Sequence, residues 1–131
     1  MFRLLPAVCV VVLTAALLSA CSSDDSTPPT TPPVTKVKSF QSDIKPIFQT
    51  HGCLGCHGTQ ANLSLATVPS ILTGGVHGPA VVAGNADSSL IIKKLSPTPP
   101  FGNRMPGGGT PLNDATIQII KDWINEGAKD N

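Results

Sequence analysis

Aromatic residues are scarce here: four phenylalanines, one tryptophan and no tyrosine. Charged residues are scarce too, at 13% of the chain, and none of them form a block. Phosphate contacts need clustered lysine and arginine, so strong nucleic-acid binding is excluded as a main activity. No Ser/His/Asp pattern or carboxylate pair marks a hydrolase, and only three histidines occur. Of the four cysteines, Cys9 and Cys21 lie near the start and only Cys53 and Cys56 lie further on, too few for a disulfide framework. Methionine is equally rare: after Met1 there is only Met105.

What is present begins with a leader. Met1-Phe2-Arg3 is a short positive start, and residues 4–20 carry no charge and are nearly all apolar. That is the plan of a secretory signal. It ends in Leu18-Ser19-Ala20-Cys21, which resembles the bacterial lipobox, where the cysteine takes a diacylglycerol thioether and becomes the mature N-terminus. The rival reading is a single membrane-spanning anchor. The run is marginal for a span, which needs about 20 residues, and the polar Ser/Asp/Thr/Pro run after Cys21 favours lipidation. Both readings put the rest of the chain outside the cytoplasm. The expected location is the periplasmic side of the cell envelope, with a lipid anchor in the membrane. Ser22 rather than aspartate after Cys21 points to the outer membrane. Removal of Arg3 with the leader leaves as many basic as acidic side chains, so long-range steering toward a highly charged partner is not implied.

Residues 1–20 are thus read as signal, 21–38 as an acylated cysteine plus a Ser/Thr/Pro-rich linker, and 39–131 as one domain, expected to be monomeric. Pro28-Pro29-Thr30-Thr31-Pro32-Pro33 favours extended polyproline II and holds the domain away from the membrane. The domain has only Phe40, Phe48, Phe101 and Trp123 as aromatics, and much glycine and proline. Small domains this lean usually need a staple.

Apolar spacing predicts three short helices. The first starts near Ser42-Asp43 as caps and carries Ile44, Ile47 and Phe48; Pro46 is tolerated in a first turn. The second takes Asp87 as N-cap, with Leu90, Ile91 and Leu95 on its apolar face, and ends before Pro97. The third begins at Asn113, carries Ile117, Ile120, Trp123 and Ile124, and ends with Gly127 at the C′ position. Residues 63–84 show no helix period. Residues 97–111 form a long loop, which in so small a domain usually has a function.

The chemistry sits in Cys53-Leu54-Gly55-Cys56-His57. Two thiols can each add to one porphyrin vinyl group, and the following imidazole can hold the iron. Two other readings exist. A thioredoxin-like dithiol wants a βαβ context, which is absent. A zinc site would need His51 and His77 alongside Cys53 and Cys56. The haem reading is preferred, with one haem c, thioethers at Cys53 and Cys56, and His57 as proximal ligand. Its other ring nitrogen is expected to donate to a carbonyl, with Pro79 as one source. The sixth iron position goes to Met105, in Arg104-Met105-Pro106-Gly107-Gly108, because a lone methionine among Arg, Pro and Gly is a poor core pattern. His77 and His51 are its rivals. Arg104 is open to pairing with a propionate or to marking a docking rim. Lys93 and Lys94 read as a solvated helix end, and Trp123 as core.

On these residues the chain resembles the class I c-type cytochromes, and more narrowly the small cytochrome c domains of Planctomycetes and Bacteroidetes. The further matches are Asp43-Ile44-Lys45-Pro46-Ile47-Phe48, Gly78-Pro79-Ala80-Val81-Val82-Ala83-Gly84-Asn85, Ser88-Ser89-Leu90-Ile91-Ile92-Lys93 and the helix around Trp123. The resemblance implies an all-α fold of three to four short helices around one covalently attached haem, the first and last crossing near a right angle, with long loops. It implies ligation by His57 and Met105. Thr116 stands where a glutamate would complete a capping box with Asn113.

The expected function is one-electron transfer to redox protein partners, not enzymatic catalysis. The alternatives are a haem enzyme or gas-sensing module with a displaceable sixth ligand, and a non-haem Cys/His metal-binding module.

Overall fold

A computed structural model describes residues 36–131. The leader, Cys21 and residues 22–35 of the linker lie outside the described residues, and so do the readings that fall on them. Among the described residues there are five short helices and no strand, only one isolated bridge between Gly75 and Gly78. The fold is all-α, as expected. No described helix is long and apolar enough to cross a membrane.

The helical chain starts earlier than Ser42. The Ser39 hydroxyl accepts the Ser42 N–H at 3.3 Å, and the Asp43 carboxylate accepts the Ser39 N–H at 2.8 Å. This reciprocal cap leaves neither Ser42 nor Asp43 as the starting residue. The bond from the Ser39 amide holds the Asp43 carboxyl below its ordinary range. Phe40–Ile44 forms a π-helical turn that runs directly into α1, Lys45–Thr50. Pro46 lies in the first turn of α1; it has no N–H to donate, and the wider turn before it gives its ring room.

The last helix, α5 (Asp114–Asn125), follows the sequence pattern closely. Asn113 Oδ1 accepts the Thr116 N–H at 2.8 Å, which supplies the cap without a glutamate. At the other end Gly127 has φ 101°, a conformation that glycine adopts without a Cβ penalty. The Gly127 and Ala128 amides bond back to the Ile124 and Trp123 carbonyls at 3.0 and 2.9 Å, a Schellman ending.

Ile120, Trp123 and Ile124 of α5 are fully buried against Phe40, Ile44 and Phe48. The Phe40 and Trp123 rings lie 5.7 Å apart between centroids, within the range of favourable aromatic pairs. Trp123 Nε1 donates to the Lys129 carbonyl at 3.0 Å, so burial leaves it no unpaired donor. Trp123 is core, as its spacing predicts. The Gln41 amide and the Ser39 hydroxyl both donate to the Asn131 carbonyl, which ties the C-terminus to the start of the domain.

Two further helices differ from expectation. Residues 63–84 contain α3, Val68–Thr73, capped by the Thr67 hydroxyl, which accepts the Ser70 N–H at 3.4 Å, with Pro69 in the first turn. Six residues are too few to display a 3.6-residue period, yet α3 buries Val68 and Ile71. The next helix, α4 (Leu90–Leu95), begins after Ser89 rather than at Asp87. Ser89 is fully buried and makes no cap. Its hydroxyl accepts the Val82 N–H at 2.9 Å and donates to the Asn85 carbonyl at 2.8 Å, fixing the loop before the helix. The Ile91 amide, which has no partner inside the helix, finds the Ala80 carbonyl at 2.9 Å. With no sheet among the described residues to satisfy the backbone, loops and helix ends satisfy one another.

Candidate functional site

The cysteine pentad owes its geometry to one turn of helix. α1 stops at Thr50, and Gly52 takes φ 67° to turn the chain into α2, Cys53–Cys56. The His57 N–H closes that turn on the Cys53 carbonyl at 2.8 Å. Positions i, i+3 and i+4 of a helical turn share one face. Cys53, Cys56 and His57 hold those positions, and all three line one cleft. The His57 carbonyl accepts the Leu65 N–H at 2.9 Å, which anchors the turn to the following loop. Both thiols are free, Cys53 half-buried and Cys56 exposed. Burial pushes the Cys53 thiol above its ordinary range, a backbone hydrogen bond offsets part of that, and neighbouring Cys56 adds to it.

The cleft has a volume of about 450 Å³ and is lined mainly by apolar side chains. Phe48, Leu65 and Ile120 contribute from the core, and Leu90, Ile91 and Leu95 from α4. The α4 face chosen from the sequence is therefore the cleft face; the buried Ile92 was missing from it. Met105 lines the same cleft from the 97–111 loop and is partly buried against the core. Its N–H donates to the Lys94 carbonyl at 2.8 Å.

Several sequence expectations change. His57 Nδ1 is buried and has no hydrogen-bond partner, so neither Pro79 nor another residue supplies the expected carbonyl. His51 and His77 line the cleft, but among the described residues no three His, Cys, Asp or Glu side chains gather as a metal-ion site. The described residues therefore hold no preformed zinc arrangement. His77 is exposed and stacks on Phe101, with centroids 4.0 Å apart. Arg104 has a contact that the sequence did not suggest: its Nε donates to the Leu95 carbonyl at 2.7 Å and closes the end of α4. Lys94 is not a solvated helix end. Its Nζ donates to the Phe101 and Asn103 carbonyls at 2.5 and 2.8 Å. Helical spacing carries no signal for that contact, because it joins a helix to a loop that has no period.

The residues present fit a haem. The His57 imidazole lines the cleft; its buried Nδ1 keeps an unmet hydrogen bond, which an iron on the other ring nitrogen would not supply. The cleft lies within the usual range for cofactor sites, about 300–1,000 Å³, and is mostly apolar. Two thiols sit beside the imidazole, and the one thioether of the domain lines the same cleft. Imidazole plus thioether is the soft donor pair of c-type haem iron.

Comparison with known proteins agrees. A family model described as Planctomycete cytochrome C matches residues 53–106, from the first thiol to the proline after Met105. No curated protein and no solved structure matches the chain. The matched segment holds both thiols, His57, Met105 and α4. The chain carries a small cytochrome c-like domain.

Proposed function

We propose that the protein is a one-electron carrier: a monohaem c-type cytochrome with His57 and Met105 as iron ligands, tethered by lipid at Cys21. The observation that carries this reading is the convergence of both thiols, His57 and Met105 on one apolar cleft. When bound, the haem supplies the ferric/ferrous couple.

The chain's own residues would attach, orient and shield it. The Cys53 and Cys56 thiols would each add across a vinyl group, so no free thiol is left in the domain. His57 and Met105 would hold the iron from two different parts of the chain, one from the turn of α2 and one from the 97–111 loop. Ligation by a thioether favours ferrous iron and raises the potential. Leu90, Ile91, Leu95 and Ile120 would keep water from the cleft, and a low-dielectric surround limits reorganisation when charge changes. The domain would work as a monomer, on the periplasmic side of the envelope, docking briefly with redox proteins through the exposed cleft edge.

The direct test of attachment is an alkaline pyridine haemochrome assay on protein from cells with an intact haem-attachment system. A spectrum typical of two thioether bonds, with the colour retained through denaturing electrophoresis, is expected. Colourless protein would end the cytochrome reading and reopen a non-haem role for the Cys/His cluster.

A further inference from the structure

The segment that carries Met105 has little apolar anchorage. Its one aromatic, Phe101, is 37% exposed, and residues 97–111 contain no helix. What fixes the segment is the last turn of α4. Lys94 Nζ donates to the Phe101 carbonyl at 2.5 Å and to the Asn103 carbonyl at 2.8 Å, and it lies 4.6 Å from the centre of the Phe101 ring. The backbone carbonyl of the same Lys94 accepts the Met105 N–H at 2.8 Å. The next carbonyl, that of Leu95, accepts from Arg104 Nε at 2.7 Å.

A helix leaves its last carbonyls without internal partners. Here two of them are taken by Arg104 and Met105, so the loop caps the helix and the helix fixes the loop. Lys94 grips on both sides: its ammonium takes two carbonyls just before the methionine, and its backbone takes the methionine's own amide. The Phe101 ring in turn stacks on His77, which joins this loop to the 74–78 turn across the cleft edge.

We propose that Lys94 is a positioning residue for Met105: it holds the thioether on the cleft and so keeps the sixth iron position closed to small molecules. The second half of that role rests on Met105 ligating the iron; the clamp itself does not. An ammonium on two carbonyls makes charge-assisted bonds, which are stronger than neutral ones.

The test compares wild type with Lys94→Met, which keeps the stem and removes the donors, and Lys94→Arg, which restores donors. The haem-loaded full-length protein is used throughout. Three readouts are followed: the far-red iron–thioether band of the ferric form, the rate of imidazole binding to it, and hydrogen exchange at the Met105 amide. Lys94→Met should bind imidazole roughly tenfold faster, the equivalent of about 1.4 kcal/mol and of one net charge-assisted hydrogen bond. Lys94→Arg should stay closer to wild type. Met105 amide exchange should accelerate in Lys94→Met while α5 amides stay protected. Unchanged imidazole binding and exchange in Lys94→Met would overturn the proposal. So would wholesale loss of helix, which would make Lys94 a folding residue. A wild type without the far-red band would remove Met105 as ligand, and the amide exchange alone would then decide whether Lys94 clamps the loop.

Discussion

The two ends of this domain are held by different forces. Around Trp123, six large apolar side chains from the first turn, α1 and α5 are fully buried or nearly so. That end rests mainly on its own side-chain contacts, though Phe48 and Ile120 also line the cleft. Around the cleft, Cys53, Leu63, Ile91 and Met105 are only partly buried, and the loops near them rest on hydrogen bonds between helix ends and loop backbone. The difference teaches where the cofactor's stabilising contribution belongs. It is needed at the cleft, and much less at the Trp123 end.

The largest expected break is at the Trp123 end. Trp123→Ala should cost about 3–5 kcal/mol, the usual range for truncating a buried tryptophan, and for so small a domain that approaches its whole stability. Chemical denaturation followed by far-UV dichroism measures it. A loss below 1 kcal/mol, on the order of a surface change, would mean that the cleft rather than this core holds the fold.

Next comes the double variant Cys53→Ala/Cys56→Ala. It should carry no covalent haem and lose much of its helicity, because the cleft-facing side of the core is thin. The loss should fall on α2, α3 and α4 in residue-resolved hydrogen exchange, with α5 protected longest. Near-native protection across the cleft helices would contradict this division of the molecule.

A subtler break separates ligation from folding. Met105→Ala should abolish the far-red band and open the ferrous form to rapid carbon monoxide binding, while the Trp123 fluorescence environment stays unchanged. Asn113→Ala, which removes the cap of α5, should destabilise by about 1 kcal/mol through the core end alone, leaving the visible spectrum untouched.

The smallest effect concerns pH. The Asp43 carboxyl is held below its ordinary value by the Ser39 amide. A depressed folded-state value means that its stabilisation is present above the unfolded value and is lost as pH falls through the folded one. Asp43→Asn should therefore flatten the acid limb of the stability profile, read by denaturant midpoints across that limb. An unchanged limb would remove Asp43 from the account.

How much could be read from the sequence follows the same division. α5 was legible because twelve residues give three apolar turns, a cap at Asn113 and a terminal glycine. That Cys53, Cys56, His57 and Met105 belong together was legible, since each residue type is rare in this chain, and all four line one cleft. α3 was hidden by its length, although Thr67 with Pro69 two residues later is a helix-start signal. The start at Ser39 was hidden because a π turn shifts the apolar spacing by one residue. The Ser89, Lys94 and Arg104 contacts were not legible at all. Each joins a side chain to a carbonyl or amide in a loop, and no local pattern encodes which loop will lie nearby.

The cleft is proposed to hold a haem closed between His57 and Met105. A redox-poised visible spectrum of the purified, haem-loaded protein tests it most directly. A low-spin ferrous spectrum that reverses on oxidation, a far-red iron–thioether band in the ferric form, and no rapid carbon monoxide binding are the predicted result. A high-spin spectrum with no far-red band and fast carbon monoxide binding would contradict it, and would favour a haem enzyme or gas sensor with an open sixth position.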